Sequence, residues 1–111
     1  MVLTVTAVEC STYVITVAFT DDATPANPIT PTTFHWKLID SAGTVINSRT
    51  DVTVTPAASV NIVLSGNDLD LTGTGDEVRY VTVWGLYDST YGLGLPYTDE
   101  VRFVVTNLKG L

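Results

Sequence analysis

Six stretches of this chain, Leu3–Val8, Tyr13–Thr20, Thr33–Ile39, Ser59–Leu64, Val78–Trp84 and Glu100–Thr106, alternate apolar with polar residues. A strand points successive side chains to opposite faces, so this period is the one that a half-buried strand requires. No stretch carries a competing helical period. Val and Thr dominate over Lys, Glu and Ala, and β-branched side chains suit a pleated surface. Asp21–Pro31 holds three prolines and two acids within eleven residues. No interior strand tolerates that, so the segment reads as a crossover loop.

The remaining segments fit the same plan. Ser41-Ala42-Gly43-Thr44 supplies turn chemistry before a short strand expected at Val45–Asn47, and Val52 with Val54 suggests another that ends at Pro56. Leu69 and Leu71 read as inward plugs in the turn after the Ser59–Leu64 strand. The expected core is Tyr13, Ile15, Val17, Phe19, Phe34, Trp36, Leu38, Val60, Ile62, Leu64, Tyr80 and Phe103. The strand Val78–Trp84 is the hardest to orient, because both of its faces are partly apolar, as in a central or bulged strand. The 111 residues are expected to form one domain, 1–111, that buries roughly two-thirds of its unfolded surface.

Charge and cysteine usage narrow the function classes. Twelve acids against five bases give a net charge of −7. Lys37, Arg49, Arg79, Arg102 and Lys109 are scattered rather than clustered, which argues against nucleic acid as a partner. Cys10 is the single cysteine, so neither an intrachain disulfide nor a cysteine zinc cluster can form. It is expected as a small semi-buried residue between the first two strands. No run approaches the roughly 20 apolar residues of a membrane span. The first residues lack a basic region and a continuous apolar run, so no signal peptide is expected. The chain begins and stops close to strands, which reads as a free-standing module made in the cytoplasm.

Catalytic chemistry is sparse. His35 is the sole histidine and lies on the polar side of its strand, where a metal would lack further ligands and a sheet-face role is expected. No nucleophile elbow precedes a serine, and the Gly73–Gly75 and Gly92–Gly94 pairs open onto strands rather than helix N-termini. A non-enzyme without a cofactor is expected. Asp68-Leu69-Asp70 is only a D-x-D and lacks the spacing of a calcium loop, so these and the other loop acids read as solvated.

The segment from Gly85 to Tyr97 carries three tyrosines, three leucines and three glycines. Tyrosine beside glycine and serine is the composition of binding loops, since Tyr offers a large amphipathic area at low entropic cost. We read it as a long loop whose Leu86, Tyr87, Tyr91, Leu93, Leu95 and Tyr97 either contact a partner or cap an open end of the fold. A second binding reading stacks Trp84, Tyr87, Tyr91 and Tyr97 on sugar rings.

Seven to eight short strands, turns every eight to twelve residues and a tryptophan on the third strand form the pattern of an immunoglobulin-like or fibronectin type III-like β-sandwich of antiparallel strands. Asp76-Glu77-Val78-Arg79-Tyr80 is similar to the tyrosine corner of such folds, with the Tyr80 phenol bonding back to the preceding loop. Thr82 stands where an antibody-type domain carries its second cysteine. The stretches Phe34-His35-Trp36-Lys37-Leu38-Ile39-Asp40, Gly43–Arg49, Ile62–Leu69 and Leu95–Phe103 resemble a small protein of tailed-bacteriophage and prophage structural gene clusters. That resemblance implies a protein synthesised in the bacterial cytoplasm and assembled into a virion. It implies phage structural proteins as partners, with self-association also open, and no catalytic residues to carry over. The alternative function is a fibronectin III-like ligand- or carbohydrate-binding adhesion module.

Overall fold

The computed structural model describes residues 7–20, 27–71 and 75–108. The expected strand residues 3–6, the acids and first proline of the crossover loop at 21–26, and turn residues 72–74 lie outside the described residues. Among the described residues seven strands run in chain order: β1 (Ala7–Val8), β2 (Thr12–Ala18), β3 (His35–Asp40), β4 (Val52–Thr53), β5 (Ser59–Ser65), β6 (Glu77–Ser89) and β7 (Gly92–Thr106). A single 3-10 turn, Gly66–Leu69, follows β5, and no α-helix occurs among the described residues. The fold is all-β.

Two sheets share the strands. One has five in the order β1-β7-β6-β3-β4, and the other pairs β2 with β5. All pairings are antiparallel except β1 with β7, where Ala7 lies beside Val105 in parallel. The expectation of antiparallel strands throughout is therefore corrected to a mixed sheet. Ile15 of β2 and Val60, Ile62 and Leu64 of β5 meet Trp36, Leu38, Val81, Val83, Phe103 and Val105 of the larger sheet in one core, with Phe34 and Leu69 closing it. Strict alternation along β5, inward at Val60, Ile62 and Leu64 and outward at Ser59, Asn61 and Val63, is the period-two pattern realised.

Most of the expected core is buried, and Tyr13, Val17 and Phe19 pack partly buried against it. Tyr80 is the correction. In β6 the inward residues are Arg79, Val81, Val83 and Gly85, while Tyr80, Thr82 and Trp84 stand on the outer face. Tyr80 lies between Ile39 and Arg102 beside the Asp40–Gly43 turn, not turned into the core. The inward place is taken by Arg79, which is fully buried. Its Nη2 donates to the Asp70 carbonyl at 2.9 Å and to Glu77 Oε1 at 3.2 Å, while Nε and Nη1 have no partner among the described residues, so the burial of this guanidinium is only partly compensated.

Two smaller expectations also change. Val45–Asn47 is not a strand: Val45 makes an isolated bridge to Ile39, and the chain doubles back through Asn47 and Ser48, both at positive φ. Arg49 N–H closes that turn on the Ile46 carbonyl at 3.0 Å, and Leu38 N–H then donates to the Arg49 carbonyl. Cys10 is exposed rather than semi-buried and takes a φ of 58° in the tight link between β1 and β2. The crossover returns with Pro28 bridged to Thr20 and Ile29 N–H donating to the Phe19 carbonyl.

Candidate functional site

The segment expected as a long loop is a β-hairpin arm. β6 continues to Ser89 and β7 begins at Gly92, so only Thr90 and Tyr91 turn the chain. β3 pairs with β6 as far as Trp84 and the preceding Thr32 and Thr33 bond to Leu86, so the strands beyond Leu86 extend past the sheet that supports them. At roughly 3.4 Å per residue the overhang from Leu86 to Ser89 spans about 10 Å.

Pro96 is compatible with a strand here because of the direction in which its neighbour bonds. Leu86, its register partner, accepts from Thr32 N–H and Thr33 N–H and donates its own N–H to Thr33 Oγ1 at 2.9 Å. The Leu86–Pro96 pair is thus non-hydrogen-bonded across β6 and β7, and the missing proline N–H falls on the open side of β7. Nearer the tip, Leu93 and Gly94 of β7 oppose the single Asp88 of β6. Gly94 adopts the left-handed conformation of such a bulge, with φ of 64°, and donates its N–H to Asp88 Oδ1 at 2.8 Å.

The base of the arm is tied down by an aromatic chain. Phe34 meets Phe19 edge-on at 5.6 Å, Phe19 meets Tyr97 at 5.4 Å, and Tyr97 meets Tyr87 at 6.4 Å. The Tyr97 hydroxyl donates to the Thr33 carbonyl at 2.7 Å, and burial pushes its phenol pKa up. Gly85 makes this possible: a Cβ at that position would overlap the Thr33 carbonyl oxygen and the Tyr97 ring. Beside this base a groove of about 260 Å³ is lined by Val17, Phe19, Ile29, Pro31, Tyr87 and Tyr97.

The six residues singled out in the sequence thus divide. Tyr87, Leu95 and Tyr97 are half-buried, with Tyr87 and Tyr97 in the ring chain at the base. Tyr91 and Leu93 are 85% and 82% exposed, and Leu86 is 40% exposed. Among the described residues, these three share the class of large exposed apolar side chains with only Val63 and Leu108. The proposed sugar-stacking set divides too: Trp84 is on the outer sheet face beside His35, Tyr97 is in the base, and Tyr91 is at the tip.

The outer face holds a pair that sequence spacing did not reveal. His35 Nδ1 lies 2.8 Å from Asp51 Oδ1 and 3.3 Å from Thr53 Oγ1, with the imidazole parallel to Trp84 at 5.6 Å between centroids. Asp51 and Thr53 approach the same ring nitrogen. A nucleophile relay requires the carboxylate and the hydroxyl on opposite nitrogens, so this cluster does not activate Thr53. Only the pairing of β4 with β3 brings Asp51 and Thr53 to His35.

Asp68 belongs to another network. Its fully buried carboxylate accepts from Arg49 Nε and Asn47 Nδ2, both at 2.9 Å, and from Ser65 N–H at 3.2 Å. Arg49 also lies over the Trp36 ring at 5.9 Å. Burial pushes the Asp68 pKa up, but these donors together outweigh it and hold the carboxyl below its ordinary range. Its oxygens are already engaged by the protein. No group of three metal-ligating side chains occurs among the described residues, and no helix there is long and apolar enough to cross a membrane.

Comparison with family models, with characterised proteins and with solved structures found no match to this chain.

Proposed function

We propose that the chain is a non-enzymatic immunoglobulin-like or fibronectin III-like β-sandwich that serves as a phage-type virion accessory protein, binding another structural subunit through its hairpin arm. The observation that carries the reading is the pairing of a pinned base with an apolar tip. Tyr97 and Gly85 fix the arm to the sheet, while Tyr91 and Leu93 stand almost fully in solvent. Large apolar side chains concentrated on a projecting element mark an interaction site, and a pre-positioned arm loses less entropy on binding. The sheet order, with β2 and β5 opposed to β7-β6-β3-β4, supports the sandwich subtype. The phage assignment rests on the sequence resemblance. Division of the four rings between face, base and tip places the carbohydrate-binding alternative second.

The test is the double variant Tyr91→Ser, Leu93→Ser in the full chain. Thermal melting should stay within about 2 °C of the parent, because exposed side chains contribute little to stability. Capture of a virion structural protein from a lysate containing assembled particles, and incorporation into those particles, should fall at least tenfold. Unchanged incorporation would overturn the reading.

A further inference from the structure

We infer that the outer edge of β5 is a self-association surface on which a second copy of this chain pairs antiparallel about a two-fold axis centred at Asn61. The hydrogen-bond parity of the small sheet is the starting point. Phe19 N–H donates to the Ala58 carbonyl and Gly66 N–H to the Ser11 carbonyl, and the β2–β5 register between these ends is unbroken. Antiparallel pairs alternate between hydrogen-bonded and non-hydrogen-bonded. Val60, Ile62 and Leu64 therefore bond inward to β2, and Ser59, Asn61 and Val63 aim their N–H and C=O groups away from it. Those three residues also carry the exposed side chains of β5, Val63 at 52%.

Among the described residues no strand pairs with this side of β5, and an open edge of this kind invites another strand, which proteins ordinarily blunt with lysine, proline, a bulge or brevity. β5 has none of these over its seven residues. Elsewhere, the stretch of β7 that has no second strand beside it among the described residues carries Pro96, Asp99 and Glu100, and β4 is two residues long. The C-terminal end of β2 lines the groove at the arm base together with Tyr97, Thr98 and Asp99, which places an acid beside it.

Charge selects the second copy as occupant. A chain of net charge −7 repels itself, yet β2 and β5 contain no Asp, Glu, Lys or Arg in their fourteen residues, while β3, β6 and β7 each carry at least two. The uncharged sheet is thus where a like-charged copy approaches at least electrostatic cost. The register follows from the parity: Asn61 pairs with Asn61 of the other copy, and Ser59 with Val63, each pair exchanging both backbone bonds. The contact is isologous and closes at a dimer. Because β5 begins at the arm end of the molecule, the two-fold sets the two arms at opposite ends, so a dimer bridges two binding partners. The pairing itself does not depend on what the arm binds.

Sedimentation velocity on the full chain over a concentration range tests this, with Asn61→Lys, Ala18→Lys and the Tyr91→Ser, Leu93→Ser double variant in parallel. The parent should form a dimer. Asn61→Lys, which sets two ammonium groups face to face across the axis and removes the acceptor of the Thr16 hydroxyl, should weaken association at least tenfold while the far-UV circular-dichroism spectrum stays that of the parent. The other two variants should remain dimeric. Amide exchange at Ser59, Asn61 and Val63 should slow as protein concentration rises. A strictly monomeric parent, or a dimer that survives Asn61→Lys and is lost in Ala18→Lys or the arm variant, would overturn the inference.

Discussion

Asp68→Ala isolates the buried network at the end of the molecule away from the arm. The carboxylate is fully buried and receives four hydrogen bonds from three residues, two from Arg49, one from Asn47 Nδ2 and one from the Ser65 backbone. Its removal leaves those donors facing a cavity. Breaking a buried ion pair by deleting one partner costs about 3–5 kcal/mol. The Arg49 side chain is 39% exposed and regains water, which favours the low end, about 3 kcal/mol. With an unfolding entropy near 2.1 cal/mol/K per residue, that loss lowers the melting temperature of a 111-residue chain by about 13 °C.

The pH dependence gives the same argument a sign. Because the folded carboxyl is held below its ordinary range, the native state binds a proton less readily than the unfolded chain. The stabilisation is fully present above the unfolded value near pH 4 and is lost as pH falls through the folded value. Circular-dichroism melts of the parent and of Asp68→Asn between pH 7 and pH 2 should therefore converge below about pH 4. A decrease of less than 3 °C in Asp68→Ala at pH 7, or a parent–Asn difference that does not narrow in acid, would refute the reasoning.

Two further substitutions probe the local geometry. Gly85→Ala should destabilise by about 2–3 kcal/mol, since the overlap includes the Thr33 backbone oxygen, which cannot swing aside. Adding Tyr97→Phe should not restore the urea midpoint, and restoration would show that the backbone contact is not limiting. Ser48→Gly should raise the melting temperature by about 2–4 °C, because Ser48 is the second of two consecutive positive-φ residues in a two-residue turn, where Asn-Gly is the favoured pair. A lower melting temperature would refute the turn assignment.

The site was legible in the sequence as a composition but not as a shape. Tyrosine, leucine and glycine between Gly85 and Tyr97 marked the segment as unusual. Four of its residues, Gly85, Gly92, Gly94 and Pro96, nevertheless weaken any local strand signal. The alternation of Leu93, Leu95 and Tyr97 was the evidence for β7 extending that far, and Pro96 obscured it. His35, Asp51 and Thr53 are remote along the chain in the sense that matters, because no spacing rule predicts which short strand lies beside β3.

What the sequence by itself determined is the all-β class and most of the core, since the strand period is a property of successive side chains and needs no partner to be read. Ile15, Trp36, Leu38, Val60, Ile62, Leu64 and Phe103 follow from it directly. Tertiary structure decided the orientation of β6 and the existence of the arm. In β6 both faces are partly apolar, so hydrophobicity alone does not choose between Tyr80 with Trp84 and Val81 with Val83. Burial of Arg79 on the inward side depends on acceptors from Asp70 and Glu77 that only the folded chain assembles. The arm likewise depends on contacts distant in sequence: Tyr97 needs the Thr33 carbonyl and the Phe19 ring, and Leu86 needs Thr32 and Thr33. Local propensity is silent where the stabilising partner arrives from another strand.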